Sequence, residues 1–478
     1  MASLVDSKLD PFLIARCIEC LIESATRWVG FHRSFCIGRR RHKACLKYHT
    51  QEELMVKTRS CELDEGQPAG RKGVCMALPA VLLLFVVAGN VHAQQAAPTP
   101  KPSMEIYGFA MMDMGHDFNT IDPNWFDTMR PTRLPSFPGE FGPNNNTYAA
   151  VRQTRFGVKT STQTSLGELK TTFEFDMFGV GFDAGQTTIR LRHAYGEVGQ
   201  FGAGQTHSPF MDINVFPNSI EYWGPSGMVF YRNVQFRWMP LRGDTSLTLA
   251  LERPGASGDP GNGLSAQLIE LENVKGRFPL PDFTGEFIWG GHKWGYLRFA
   301  GALRRIQWDD LLLDQFDISG HATGWGVNVS SNVNFGAKRK SVLKMEAVYG
   351  SGIENYMNDA TADIGAKLNP GNTVSPVVGQ KLPVLGATAF LDHSWSEKWT
   401  SSFGYSLIHI DNASGQSPRA FKTGQYALAN IIYSPVPNVY VGGEYEWGHR
   451  DNDSDGFKQN GNKFQVSFKY NFSYKLGG

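Results

Sequence analysis

Apolar and polar residues alternate with a period of two along most of the chain between Met104 and Phe472. That period puts successive side chains on opposite faces of a β-strand. The pattern predicts about 16 strands of roughly ten residues, the unit of a membrane barrel. Among them are Glu105–Gly115, Glu168–Phe178, Thr188–Val198, Gly295–Trp308, Trp399–Ile410 and Lys463–Phe472. In the last of these, Phe464, Val466, Phe468, Tyr470 and Phe472 share one face, and Lys463, Gln465, Ser467, Lys469 and Asn471 share the other.

A soluble sandwich and a membrane barrel both alternate, so three further observations separate them. The polar faces carry charge that a filled interior would not hold: Lys170, Glu174 and Asp176 alternate with Leu169, Thr171, Phe173 and Phe175, and Arg190 and Arg192 with Ile189, Leu191 and His193. Aromatics stand at strand ends (Trp238, Trp294, Trp308, Trp395, Trp399, Tyr433, Trp447), where interfacial girdles form. Tight joins at Gln163–Leu166, Arg242–Asp244 and Pro435–Asn438 alternate with long ones at His116–Ala150, His207–Val229, Pro254–Asp282 and Gly352–Pro383. Short periplasmic turns and long external loops are the outer-membrane pattern. The fold class expected is therefore all-β: a transmembrane antiparallel β-barrel of about 16 strands.

The N-terminal region reads differently. Arg71-Lys72, the apolar run Met76 to Ala88 and the small-residue pattern Val91-His92-Ala93 form a signal peptide over 71–93, with cleavage near Ala93 and export to the bacterial outer membrane. The run is too short for a membrane-spanning helix, which needs about 20 residues. Residues 1–70 are read as an upstream extension, either artefactual (translated from a start site placed too early) or unstructured, and 94–103, with Pro98, Pro100 and Pro102, as a stiff periplasmic tether. The barrel then covers 104–472 and a short tail 473–478. All six cysteines fall before residue 93, so the exported part has no disulfide. With 13 basic and 9 acidic residues in 1–93, the exported part carries 46 − 13 = 33 basic against 45 − 9 = 36 acidic residues, a balance that gives no support for nucleic-acid binding.

The connection from His207 to Val229, HSPFMDINVFPNSIEYWGPSGMV, is unusually apolar for a surface loop. A loop of that composition needs a buried place, and the lumen supplies one. It is expected to fold inward as a constriction, with Asp212, Glu221, Tyr222 and Trp223 as candidate lining residues. Packing on a trimer neighbour is the alternative. If apolar residues face lipid, Arg155, Arg190, Arg192, Arg237 and Arg298 face the lumen, with Arg232 and Arg304 less clearly placed because Arg232 shares parity with Phe230 and Val234. Arginine rings select anions, since the guanidinium fork grips a carboxylate and stays charged. Glu174, Asp176 and Glu197 could instead neutralise the same arginines.

The run Gly204-Gln205, Ser208, Phe210-Met211-Asp212, Pro217, Gly224-Pro225, Gly227, Arg232, Gln235 and Arg237 resembles the DcaP-like outer-membrane porins. Glu105 to Phe109 and Arg152-x-x-Arg155-Phe156-Gly157 fit the same family. The resemblance implies a trimeric 16-stranded porin whose anion-favouring pore passes dicarboxylates. Two departures are a Pro-rich lead-in in place of a helical extension, and the residues that follow Phe472. The function expected is passive diffusion of small anionic solutes, with outer-membrane lipid and lipopolysaccharide as surroundings. A sugar-selective or general porin, suggested by Tyr222, Trp223, Tyr231 and Tyr296, and a structural or adhesive barrel are the alternatives. No enzyme motif is present: H-E-x-x-H and G-x-S-x-G are both missing. No cofactor and no metal are expected. Asp451 to Gly456 copies the start of a calcium loop, but the twelfth position is Asn462, so the bidentate glutamate is lacking.

Overall fold

The computed structural model describes residues 101–179, 188–255 and 268–477. The upstream extension, the signal peptide and most of the tether lie outside them. In chain order the strands are β1 (Ser103–Asp117), β2 (Asn146–Ala150), β3 (Arg155–Thr164), β4 (Gly167–Asp176), β5 (Arg190–Val198), β6 (Phe201–His207) and β7 (Arg232–Leu241). There follow β8 (Ser246–Glu252), β9 (Val274–Arg277), β10 (Asp282–His292), β11 (Gly295–Asp310), β12 (Gly320–Phe335) and β13 (Ser341–Ser351). The last are β14 (Ile364–Leu368), β15 (Val377–Lys381), β16 (Pro383–Ser394), β17 (Trp399–Ile410), β18 (Phe421–Tyr433), β19 (Val439–Asn452) and β20 (Lys458–Gly477).

Strands β14 and β15 form a separate hairpin, and the other eighteen share one antiparallel sheet. Within it β2 and β9 only prolong neighbours: β2 pairs with Asp113–Asp117 of β1, and β9 with Gln307–Asp310 of β11. Sixteen strands remain, and they close into a ring when β20 pairs with β1 from Ser103↔Gly477 to Asp117↔Lys463. Closure is what a bilayer demands, because no water is there to satisfy the backbone groups of an open edge.

The two faces sort as the alternation predicts. On β20, Lys463, Gln465 and Ser467 are buried toward the lumen while Phe464 and Tyr470 are exposed. On β4, Glu174 and Asp176 point inward and Phe173 outward. Short turns (165–166, 199–200, 242–245, 293–294, 336–340, 395–398, 434–438) lie at one end with the ring's two termini, and the long connections lie at the other. The exposed indoles Trp238, Trp294, Trp395 and Trp399 gather at the short-turn end.

Three expectations need correction. Trp308 belongs to no girdle: it is 2% exposed and packs with Leu268, Ile269, Ile306 and Ile364 beneath an inward-folded connection. His193 does not face outward like Leu191. The β4–β5 register shifts at Arg192, and this bulge turns His193 toward Glu174 and the His207 ring as well. Residues 473–477 are no tail either, since they continue β20 and complete the seam with β1.

The apolar core lies inside the barrel. Connections 118–145, 208–231 and 352–382 fold inward and bury Met129, Leu134, Phe210, Met228, Ile353 and Tyr356 against inward wall residues such as Val348, Phe390, Ile408 and Tyr426. Each such side chain contributes roughly 1.5–3 kcal/mol relative to exposure, which holds segments that would otherwise be external loops.

Candidate functional site: the constriction and its vestibule

The connection 208–231 crosses the lumen to the opposite wall and dips toward the short-turn end. Its backbone would carry unsatisfied polar groups there, and the wall supplies partners for them. Arg298 on β11 donates to the carbonyls of Pro209 and Met211 and pairs with Glu286 at 2.8 Å. Asn328 donates to the Phe210 carbonyl at 2.9 Å, and the Lys344 ammonium to that of Phe216 at 2.7 Å. Glu444 on β19 accepts from Ser219 Oγ (2.8 Å) and from the amides of Ile220 and Glu221 (3.1 Å each). Glu346 on β13 accepts from the Val229 amide at 2.8 Å. Gly227 lies so close to the β16–β17 wall that a Cβ there would collide with the Leu407 carbonyl, so only glycine lets the loop seat.

Two of the four candidate lining residues are fasteners. Asp212 is 3% exposed and accepts from Tyr296 Oη (2.6 Å), Ser330 Oγ (2.7 Å) and the Asn214 amide (3.0 Å). Glu221 is 2% exposed and accepts from the amides of Met129 (3.2 Å) and Gly224 (2.5 Å). Tyr222 and Trp223 instead line a cavity of about 350 Å³ on the long-loop side of the constriction.

That cavity also takes in Arg190, Arg232, Arg130 and Arg133, together with Glu270 and Glu354. Arg190 grips Asp176 with two hydrogen bonds (3.2 and 3.0 Å). Just behind it, Arg192 bridges Glu174 (2.6 Å), Asp176 (3.0 Å) and the Tyr222 hydroxyl (2.9 Å). Arg155 Nε stands 3.7 Å from Glu174. Arg232 lies over the Phe230 ring at 5.4 Å and makes no ion pair within 4 Å among the described residues, and its Nη1 is buried without a hydrogen-bond partner. Four wall arginines thus face two carboxylates. Arg232, the first residue of β7, lines the cavity despite sharing parity with Val234.

The remaining arginines stand apart from this cavity. Arg237 bonds Gln235 at 2.6 Å and the His207 carbonyl, under the Tyr195 ring. Arg298, 1% exposed, serves the loop. Arg304 is shared between Asp282 (2.9 Å) and Asp363 (2.8 Å). Arg130 and Arg133 were not singled out from sequence. Arg130 is held between Trp125 and Trp223 (4.1 and 3.9 Å to the ring centroids) and pairs with Asp359 at 3.0 Å. The signal was present: 118–134 is as rich in large apolar residues as 207–229, and the same argument sends it inward. Glu354 had no sequence signal. It opens a short turn of the 352–382 connection, is 1% exposed, and neither carboxylate oxygen has a hydrogen-bond partner. Burial, reinforced by the neighbouring Asp363 carboxylate, pushes its carboxyl well above the usual range.

On the short-turn side of the loop a second space of about 640 Å³ is lined by Arg339, Lys340, Lys344 and Asp392 as well as by Asn214 and Asn218 of the loop. In the acidic turn at 451–456 the carboxylates diverge, with Asp451 on Lys458 (3.0 Å), Asp453 on Lys422 (3.3 Å) and Asp455 on the Phe457 amide (2.9 Å). Among the described residues no cluster of three His, Cys, Asp or Glu could hold a metal.

Residues 107–273 match the DcaP outer membrane protein family. The outer membrane channel DcaP of Acinetobacter baumannii superposes with a TM-score of 0.64 at 20% identity, covering 78% of this chain and 97% of that one. Over 107–273 the sequence is similar to that family, and the barrel as a whole shares its fold with that channel. An anion-selective porin from Comamonas acidovorans shares the fold (TM-score 0.50, 8% identity, 78% of this chain and 100% of that one). OmpT of Vibrio cholerae in its trimer form is a more distant likeness, at TM-score 0.46 and 10% identity over 78% of this chain and 99% of that one. No curated protein matches. The family match spans β1 to the connection after β8, so it contains the loop 208–231 and the arginines at 155, 190, 192, 232 and 237.

Proposed function

We propose that the chain forms an outer-membrane channel of the DcaP type that passes small anionic solutes, dicarboxylates foremost, by passive diffusion past the loop 208–231. The observation that carries the reading is the excess of guanidinium on one wall: Arg155, Arg190, Arg192 and Arg232 against Glu174 and Asp176, directly above the constriction. A low-dielectric lumen amplifies such a surplus, and a carboxylate fits the guanidinium fork. The likeness to an anion-selective porin supports the same sign of selectivity. The reading includes no catalytic step.

The sugar-porin alternative asks for free aromatic faces. Tyr222 is stacked on Phe178 at 3.7 Å, and Trp223 lies under Arg130 and against Trp125, so both rings are already engaged. We propose a trimer on the strength of the family resemblance, to be tested by native mass in detergent. The selectivity test is the reversal potential of purified protein in a planar bilayer under a KCl gradient, repeated with succinate. Anion preference with succinate-induced current noise is the expected result. Cation preference would overturn the reading in favour of a general or sugar porin, and absence of channels would favour a structural barrel.

A further inference from the structure

We propose that the cavity above the constriction is a binding site for zwitterionic solutes, taking a carboxylate at Arg232 and Arg190 and an ammonium group at Glu354. This rests on the channel reading above and names a substrate class for the same site.

The cavity holds two buried ionisable side chains, a guanidinium and a carboxyl, with polar atoms that its own residues leave without a partner. An ammonium placed beside Glu354 supplies the positive neighbour that its ionised form lacks. On one side Arg232 presents a buried Nη1 with no hydrogen-bond partner. On the other, Glu354 is 1% exposed and both its carboxylate oxygens lack one. The two line the same space of about 350 Å³ and do not pair with each other. Arg304, the cation that acts on Glu354, is already shared between Asp282 and Asp363 at 2.9 and 2.8 Å.

Leaving a polar or charged group buried without a partner is costly, and a ligand that supplies the missing partner recovers that cost. A monoanion answers Arg232 and leaves Glu354 as it was. A dianion brings a second negative charge toward Glu354. A solute with a carboxylate at one end and an ammonium at the other answers both groups at once. The space falls within the size range of small-molecule sites, and Phe230, Leu268 and Met357 supply apolar lining for the methylenes between the charged ends.

The test is single-channel recording on the purified protein with matched probes: 4-aminobutyrate against butyrate, and 6-aminohexanoate against hexanoate. At least one amino acid of the pair series should interrupt the current at a concentration about tenfold lower than its monoanion, the size of a buried hydrogen bond to a charged group. In Glu354→Gln that ratio should fall toward one. The wild-type series stands alone if the variant fails to fold. Equal potency of both members in both pairs overturns the inference, as does a ratio that persists in Glu354→Gln. If neither these monoanions nor succinate touches the current, the anion-channel reading falls together with the inference. If the monoanions and succinate act and the amino compounds are no better, only the inference falls.

Discussion

Two walls of the same lumen carry charge to different ends. On β11, β13 and β19 the charged residues Arg298, Lys344, Glu346 and Glu444 are bonded to the backbone of 208–231 and hold it across the pore. On β4 and β5 the charged residues Glu174, Asp176, Arg190 and Arg192 bond chiefly one another or a side chain, Arg232 on β7 stands beside them without an ion pair among the described residues, and Arg190 and Arg232 line the vestibule. The same signature, a charged residue at an inward parity, thus has two fates. What separates them is whether a folded-in backbone lies opposite. A wall facing naked loop carbonyls and amides is consumed as a clamp, and a wall facing water remains available to a solute.

The comparison can be broken first at the clamp. Glu444→Ala removes the acceptor for Ser219 Oγ and two loop amides, a loss of about 3 kcal/mol in loop seating. Larger and noisier single-channel steps are expected, and unchanged steps would show that the loop does not depend on this wall. Arg232→Glu tests the other wall. A unit charge near a permeating ion is worth roughly 1–4 kcal/mol at the dielectric of a partly wet site, so the reversal potential in a salt gradient should move strongly toward cations. Arg192→Glu should move it the same way by less, because Arg192 is already shared between Glu174 and Asp176. Unchanged selectivity in that variant would remove Arg192 from the pore. The smallest effect is expected from Trp308→Phe, which loses a 2.7 Å bond to the Ile318 carbonyl, worth about 1 kcal/mol. Thermal unfolding should register it, while Trp399→Phe at the exposed rim should leave the midpoint in place.

Much of this was legible before any coordinates. Strand number, the two faces and the alternation of turn lengths follow from a period-two pattern that bilayer and water read oppositely. The inward path of 208–231 followed from its apolar content. The errors have local causes. His193 was misplaced because a bulge at Arg192 is one extra residue that no periodicity announces. Trp308 looked like an interfacial indole, but Leu268, Ile269 and Ile364 cover it from connections remote in sequence. Asp212 and Glu221 were assigned correctly to the inward loop, yet their carboxylates serve backbone amides and hydroxyls rather than the vestibule. Glu354 is part of that space only because the long connection 352–382 carries it there.

The seam of the ring has a bearing on how the channel is made. Gln153, just ahead of β3, and Gln465, on the final strand, both donate to the Ile220 carbonyl, at 2.8 and 3.1 Å. The loop's seat therefore straddles the joint between the two ends of the chain. These two bonds that seat the loop are in place together only when the ring is closed, so the narrowing and the closure of the sheet share part of their support.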